Sequence, residues 1–207
     1  MVQYKLMYFD ARGLGEAARL LFHASGVPFE DYRVGIEEFQ KLKASLPGGH
    51  VPILYVDGFE ISESSAINRY LARKFGLAGK TAEEEASADM VVDFFKDYLV
   101  SYRQMSSALF FGKSQDEIEN IKKEVTGPAT EIFFGKLNKV LSKSSSGFLV
   151  GNSLTWADLV VFDNLVSLKN FGLFDEEKEK KLARLFEKVK EAPKLKEYIE
   201  KRPYSIV

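Results

Sequence analysis

The chain has no cysteine. It can therefore form no disulfide, offer no thiolate to zinc and use no cysteine nucleophile. Histidine is almost as scarce, with only His23 and His50 present, which argues against a multi-histidine metal centre. No charge of one sign dominates: 29 Lys and Arg against 30 Asp and Glu leave a net charge of −1. That balance supplies no basic field for nucleic acid or an anionic membrane. No apolar run reaches the roughly 20 residues that span a bilayer. Secretory signal features are missing too, because Met1-Val2-Gln3-Tyr4-Lys5 opens directly into a strand pattern. The expectation is a soluble, cytoplasmic protein. No internal repeat is visible.

What is present is an ordinary globular composition, 45% hydrophobic and 29% charged over 207 residues. That length suffices for one large or two small cores. Tyr4, Leu6 and Tyr8 alternate with Lys5 and Met7, which predicts a short strand. Arg12-Gly13-Leu14-Gly15 turns the chain, and Ala17, Leu20, Leu21 and Ala24 recur at helical spacing until Gly26. Val27 to Val34 reads as a second strand, and Glu37 to Leu46 as a weak helix or a loop. Gly76-Leu77-Ala78-Gly79-Lys80 is the best linker. Thr81 with Glu84 predicts a capping box, and helices are expected over about 82–111, 115–143, 155–170 and 178–201, the last broken near Pro193. Thr155 and Asp158 form a second box-like cap. The mixed-charge run from Asp175 to Arg202 reads as a solvated helix face. The order is β-α-β, a link, β-β-α, then helices: an α/β domain over 1–78 and an all-α domain over 82–207.

Two features could carry chemistry. Gly13-x-Gly15-x-x-Ala18 follows a strand and opens a helix, the first test of a dinucleotide fingerprint. It fails the rest, since the second strand ends in Arg33-Val34 rather than an acid and a hairpin follows where another βα unit is required. The second feature runs from Pro47 to Ser64. Pro52 holds Val51 extended, with backbone groups available to an extended peptide. Asp57-Gly58 marks a tight hairpin. Glu63-Ser64 opens a helix whose free N–H groups suit a carboxylate.

This stretch, and the chain as a whole, resembles the cytosolic glutathione transferases, nearest the sigma class. The resemblance implies a thioredoxin-like domain followed by an all-helical one, no metal or prosthetic group, and glutathione as co-substrate. It implies a detoxifying transferase that conjugates glutathione to small hydrophobic electrophiles, with Tyr8 donating a hydrogen bond to the glutathione sulfur and stabilising the thiolate. Arg12 matches a positive residue near that sulfur, with a surface arginine as the alternative. Val51 resembles the residue whose backbone pairs with the cysteinyl portion, and Pro52 the family's cis proline. Ser64 resembles the residue that binds the γ-glutamyl carboxylate, and Lys43 a lysine near the glycine carboxylate. Asp97 matches an acid that reaches the partner subunit's site, which implies a homodimer.

Phe39, His50 and Glu63 depart from that pattern, standing where a tryptophan and two glutamines are usual; with Gly49 they complete the expected glutathione shell. Losing one neutral hydrogen bond costs roughly 0.5–1.5 kcal/mol, so weakened affinity is expected. Leu14, Tyr102 and Met105 are candidates for the electrophile pocket. Two other readings share this sequence: a non-catalytic, crystallin-like or ligand-binding relative, and a glutathione-dependent prostaglandin-type isomerase.

Overall fold

The computed structural model describes residues 2–207, and Met1, first residue of the expected α/β domain, lies outside them. The chain opens with β1 (Tyr4–Phe9), α1 (Glu16–Ser25), β2 (Glu30–Val34), α2 (Ile36–Leu42), β3 (Ile53–Val56), β4 (Phe59–Ser62) and α3 (Ser64–Phe75). The sheet order is β2-β1-β3-β4. β1 runs parallel to β2, with Tyr8 opposite Arg33, and antiparallel to β3, with Leu6 opposite Leu54. Asp57 and Gly58 both have positive φ, 49° and 87°, as the two-residue hairpin between β3 and β4 requires. Helices follow to the end: α4 (Ala82–Phe110), α5 (Gln115–Ile121), α6 (Gly127–Leu141), α7 (Trp156–Asn170), α8 (Lys180–Lys190) and α9 (Pro193–Lys201). This is a thioredoxin-like α/β unit followed by an all-helical one.

Several boundaries move for local reasons. β2 begins at Glu30, not Val27, because Pro28 has no N–H to give to a ladder, and Phe29 instead stacks on Phe22 with ring centroids 4.2 Å apart. α2 is short and buries none of its residues, so the weak pattern there reflects a real lack of an apolar stripe. The single helix expected over 115–143 is interrupted by a wide π-type turn at Lys122–Thr126, directly before Pro128, whose ring cannot continue a regular ladder. The Thr81 cap is half a box: Thr81 Oγ1 accepts from Glu84 N–H, while the Glu84 carboxylate accepts from Lys80 N–H. The Thr155–Asp158 box is complete, and Asp158 also accepts from Leu149 N–H at 2.8 Å.

One apolar core runs through both units, from Leu6, Leu20 and Ile67 to Trp156, Phe162 and Leu185. α1 and α3 pack on α7, and α1 also meets α9. The linker is fastened as well, since Trp156 N–H donates to Leu77 C=O at 2.9 Å. A second, smaller cluster of Met7, Tyr8, Val34, Val51 and Ile53 occupies the other face of the sheet.

Candidate active site

Tyr8 ends β1, and the turn behind it is shaped to its ring. A Cβ on Gly13 would lie 2.6 Å from Tyr8 Oη, and one on Gly15 would lie 2.6 Å from the ring carbons. The glycines that imitate a nucleotide fingerprint are thus clearance for a tyrosine. Between them, Leu14 N–H donates to Tyr8 Oη at 3.0 Å. The hydroxyl accepts that bond, so its own hydrogen is free to donate elsewhere. Burial pushes the Tyr8 hydroxyl above the ordinary tyrosine range, while Leu14 N–H and the charges of Arg19 and Arg103 draw it back. At neutral pH the group is a protonated donor in a low-dielectric setting.

The turn is braced from both sides by arginines. Arg19 is fully buried, paired with Glu16 at 3.1 Å and Asp31 at 3.0 Å, and donates to the carbonyls of Phe9 and Ala11. Arg12 overturns the surface-arginine alternative, being only 4% exposed. Its guanidinium meets Asp163 at 2.5 Å and donates to Ser167 Oγ and the carbonyls of Ser205 and Ile206. Asp163 on α7 matches its charge, and Arg12 joins the turn to the helical unit. Arg202, expected on a solvated face, lies in the same region and meets buried Glu16 at 2.6 Å.

Facing Tyr8 in the same apolar cluster is Val51, joined to Pro52 by a cis peptide. Val51 N–H and C=O have no backbone partner among the described residues. His50 and Glu63, two of the three departures, meet each other: His50 Nε2 lies 3.2 Å from Glu63 Oε1. The His50 ring rests against Gly48, whose φ of 66° and closeness to Nε2 leave no room for a Cβ. Glu63 itself sits at φ 69°, a backbone state that non-glycine residues adopt at some cost. It precedes Ser64, the first residue of α3, and no side chain caps that helix start.

The remaining expected residues divide. Phe39 packs edge-on against Phe9 with centroids 5.0 Å apart, and exposed Lys43 has its Nζ 6.0 Å from the Phe39 ring. Gly49, at φ 67°, shapes the turn leading to His50. Leu14, Ser64 and Tyr102 line one cavity between the two units. Tyr102 Oη donates to Ser167 Oγ at 3.1 Å. Met105 is 2% exposed, belongs to the main core, and is not among the residues lining that cavity. Asp97 is exposed on α4, beside Lys136 Nζ at 3.1 Å.

Sequence reasoning missed Arg19, and also Glu16, Asp163 and Arg202, which pair with residues more than 150 positions away, and Asn68 and Asn164, which line the cavity of Ser64. No local signal marked them: even Arg19 on α1 lies away from the stripe of Ala17, Leu20, Leu21 and Ala24. Among the described residues no group of three or more metal-binding side chains occurs, and no helix is long and apolar enough to cross a membrane.

Residues 4–73 match the family described as glutathione S-transferase, N-terminal domain, and residues 101–202 match glutathione S-transferase, C-terminal domain. The chain is 52% identical over 207 residues to Glutathione S-transferase 4 of Caenorhabditis elegans, covering all of both chains. Among solved structures it is similar to the glutathione S-transferase from Ascaris lumbricoides, at 44% identity and a TM-score of 0.91 over 99% of this chain and 100% of that one. A Nu-class enzyme from Haemonchus contortus matches over the full length of both chains, at 42% identity and a TM-score of 0.89.

Proposed function

The chain belongs to the glutathione S-transferase family, and from that premise we propose that Tyr8 donates its hydroxyl hydrogen to the sulfur of bound glutathione. Glutathione is the co-substrate, bound by the N-terminal unit. The observation that carries the proposal is the hydrogen bond from Leu14 N–H to Tyr8 Oη. It occupies the oxygen, leaves the hydrogen to donate, and polarises the O–H toward developing negative charge. A preorganised donor of this kind favours thiolate over thiol. The thiolate then attacks a small hydrophobic electrophile, with much of the rate coming from holding the two reactants together.

In this reading residues 1–78 bind glutathione and 82–207 hold the electrophile. The Val51 backbone pairs with the cysteinyl portion. Ser64 and the uncapped N–H groups of α3 take the γ-glutamyl carboxylate, a natural anion position. Lys43 takes the glycine carboxylate, with Phe39, Gly49 and His50 along that wall. Leu14 and Tyr102 border the electrophile. Arg12 acts by anchoring the turn, its charge matched by Asp163. Asp97, exposed on α4, serves the partner's site in a homodimer. The sigma-class resemblance is carried by the stretch from Pro47 to Ser64 and the chain as a whole, and similarity to a Nu-class enzyme leads us to assign the tyrosine-donor chemistry rather than a class.

The test is turnover of a chlorodinitrobenzene with glutathione, comparing wild type with Tyr8→Phe. Conjugation should fall on the order of 10²-fold or more, as when an oxyanion-hole donor is removed. Retention of full activity by the mutant would refute the role of Tyr8.

A further inference from the structure

The arginines around the Tyr8 turn are matched by acids one by one, except Arg103 on α4. Arg12 meets Asp163, Arg19 meets Glu16 and Asp31, and Arg202 meets Glu16. Arg33, opposite Tyr8 in the sheet, meets Asp10 at 2.7 Å and Asp31 at 2.9 Å. Arg103 meets no acid among the described residues, and Ser106 Oγ bonds its backbone carbonyl at 3.3 Å, not its guanidinium. Its own helix offers no acid one turn away, where Leu99, Val100, Ser106 and Ser107 stand. α4 turns Phe95 and Tyr102, about two helical turns apart on one face, toward the cavity that Leu14 also borders. Arg103 follows Tyr102 about 100° round the helix, on the exposed rim of that face. Its charge is felt at the Tyr8 hydroxyl beside that of Arg19. Arg19 is neutralised by its acids, and Arg103 is not.

We propose that Arg103 is a specificity-determining residue for the electrophile, and that it selects electrophiles carrying a carboxylate. The role rests on the reading of Tyr8, Leu14 and Tyr102 given above. Its basis is charge balance. A thiolate held at Tyr8 repels a second anion brought beside it. An unmatched guanidinium on the rim offsets that repulsion and presents a planar fork of N–H donors, which suits a carboxylate. Leu14 and Tyr102 border the apolar body of the same molecule. The electrophile that fits is therefore amphipathic, apolar next to the sulfur and anionic at the rim.

The experiment compares a chlorodinitrobenzoate with its methyl ester, which differ in charge and share one reacting carbon. In both, a sulfur–carbon bond forms and the carbon–chlorine bond breaks; chloride leaves with the bonding pair and the thiol proton goes to solvent. Each kcat/KM is divided by the uncatalysed rate constant with glutathione. The corrected ratio should favour the carboxylate in wild type by about threefold, the scale of an exposed charge pair. Added salt should erode that preference. Arg103→Gln should bring the ratio to about one, Arg103→Glu should reverse it, and Arg103→Lys should keep most of it. A wild-type ratio of one, or a ratio that Arg103→Gln leaves unchanged, overturns the proposal. Tyr8→Phe should slow both probes and leave the ratio standing. If wild type conjugates neither probe, the Tyr8 reading falls, and calorimetric affinities for the two intact probes decide Arg103: equal affinities overturn it.

Discussion

Removing the Asp163 carboxylate should be among the costliest single changes this fold can suffer. Arg12 is buried and meets that carboxylate at 2.5 Å. Arg202, the next cation, lies 3.8 Å from the same oxygen and is already matched by Glu16. Asp163→Leu replaces the carboxylate with a larger apolar group and leaves Arg12 with only carbonyl and hydroxyl acceptors for a full charge. Breaking a buried pair in this way costs about 3–5 kcal/mol. With an unfolding entropy of about 2.1 cal/mol/K per residue, 207 residues give about 0.43 kcal/mol/K. The expected fall in Tm is thus about 7–12 °C, measured by calorimetry at fixed protein concentration with and without the mutation. The paired replacement Arg12→Met with Asp163→Leu should recover much of the loss, because no charge then remains unmatched. A single-mutant shift below about 2 °C, or a double mutant worse than the sum of the two singles, would refute the assignment of Arg12 as a buried cation that depends on Asp163.

Three further outcomes are expected. Gly15→Ala meets the Tyr8 ring, not backbone strain, so it should destabilise by about 1–3 kcal/mol and depress conjugation. Its penalty should largely vanish in a Tyr8→Ala background, and persistence there would place the clash elsewhere. His50→Gln should weaken glutathione binding more in the presence of Glu63 than in a Glu63→Gln background. The contact is solvent-exposed, with Glu63 72% exposed, so the coupling is about 0.2–1 kcal/mol, and additive single effects would exclude it. Phenolate absorbance of wild type minus Tyr8→Phe should show a group ionising above the ordinary tyrosine value of 10.0, because burial raises it. Since the folded value exceeds the unfolded one, the Tyr8 contribution to stability is intact below about pH 10 and is lost above it; a midpoint below 10 would contradict the burial argument.

The architecture was legible because its signals are local. Asp57-Gly58 specifies a hairpin, Gly26 and Gly76 stop helices, and Thr155 with Asp158 caps one, each within a few residues. Positions of Tyr8, Val51 and Ser64 followed from the same local grammar plus family resemblance. The environment of those residues was not legible. Arg12 looks like any charged turn residue until Asp163, 151 residues away, is brought beside it. His50 and Glu63 read as two separate defects in a glutathione shell, yet they meet each other, with His50 Nε2 3.2 Å from Glu63 Oε1. Met105 fell on a helical stripe consistent with a pocket or a core, and only the packing of α4 could decide for the core. Asn68 and Asn164 carried no pattern, because a polar residue facing a cavity has the same spacing as one facing solvent.

The hydrogen bonds from Arg12 to the last residues of the sequence impose an order of assembly. Arg12 N–H is bonded to Val207 C=O, and its side chain to carbonyls up to 194 residues away. The turn that supports Tyr8 leaves a ribosome well before these partners, and it lacks them until they emerge. At synthesis rates of about 5–20 residues per second, that interval is about 10–40 s. During it the sheet can form while the buried Arg12 still lacks its partners. The turn beneath Tyr8 is therefore made well before the residues that fasten it, which leaves a nascent chain with a folded-looking N-terminal unit and an unfastened turn.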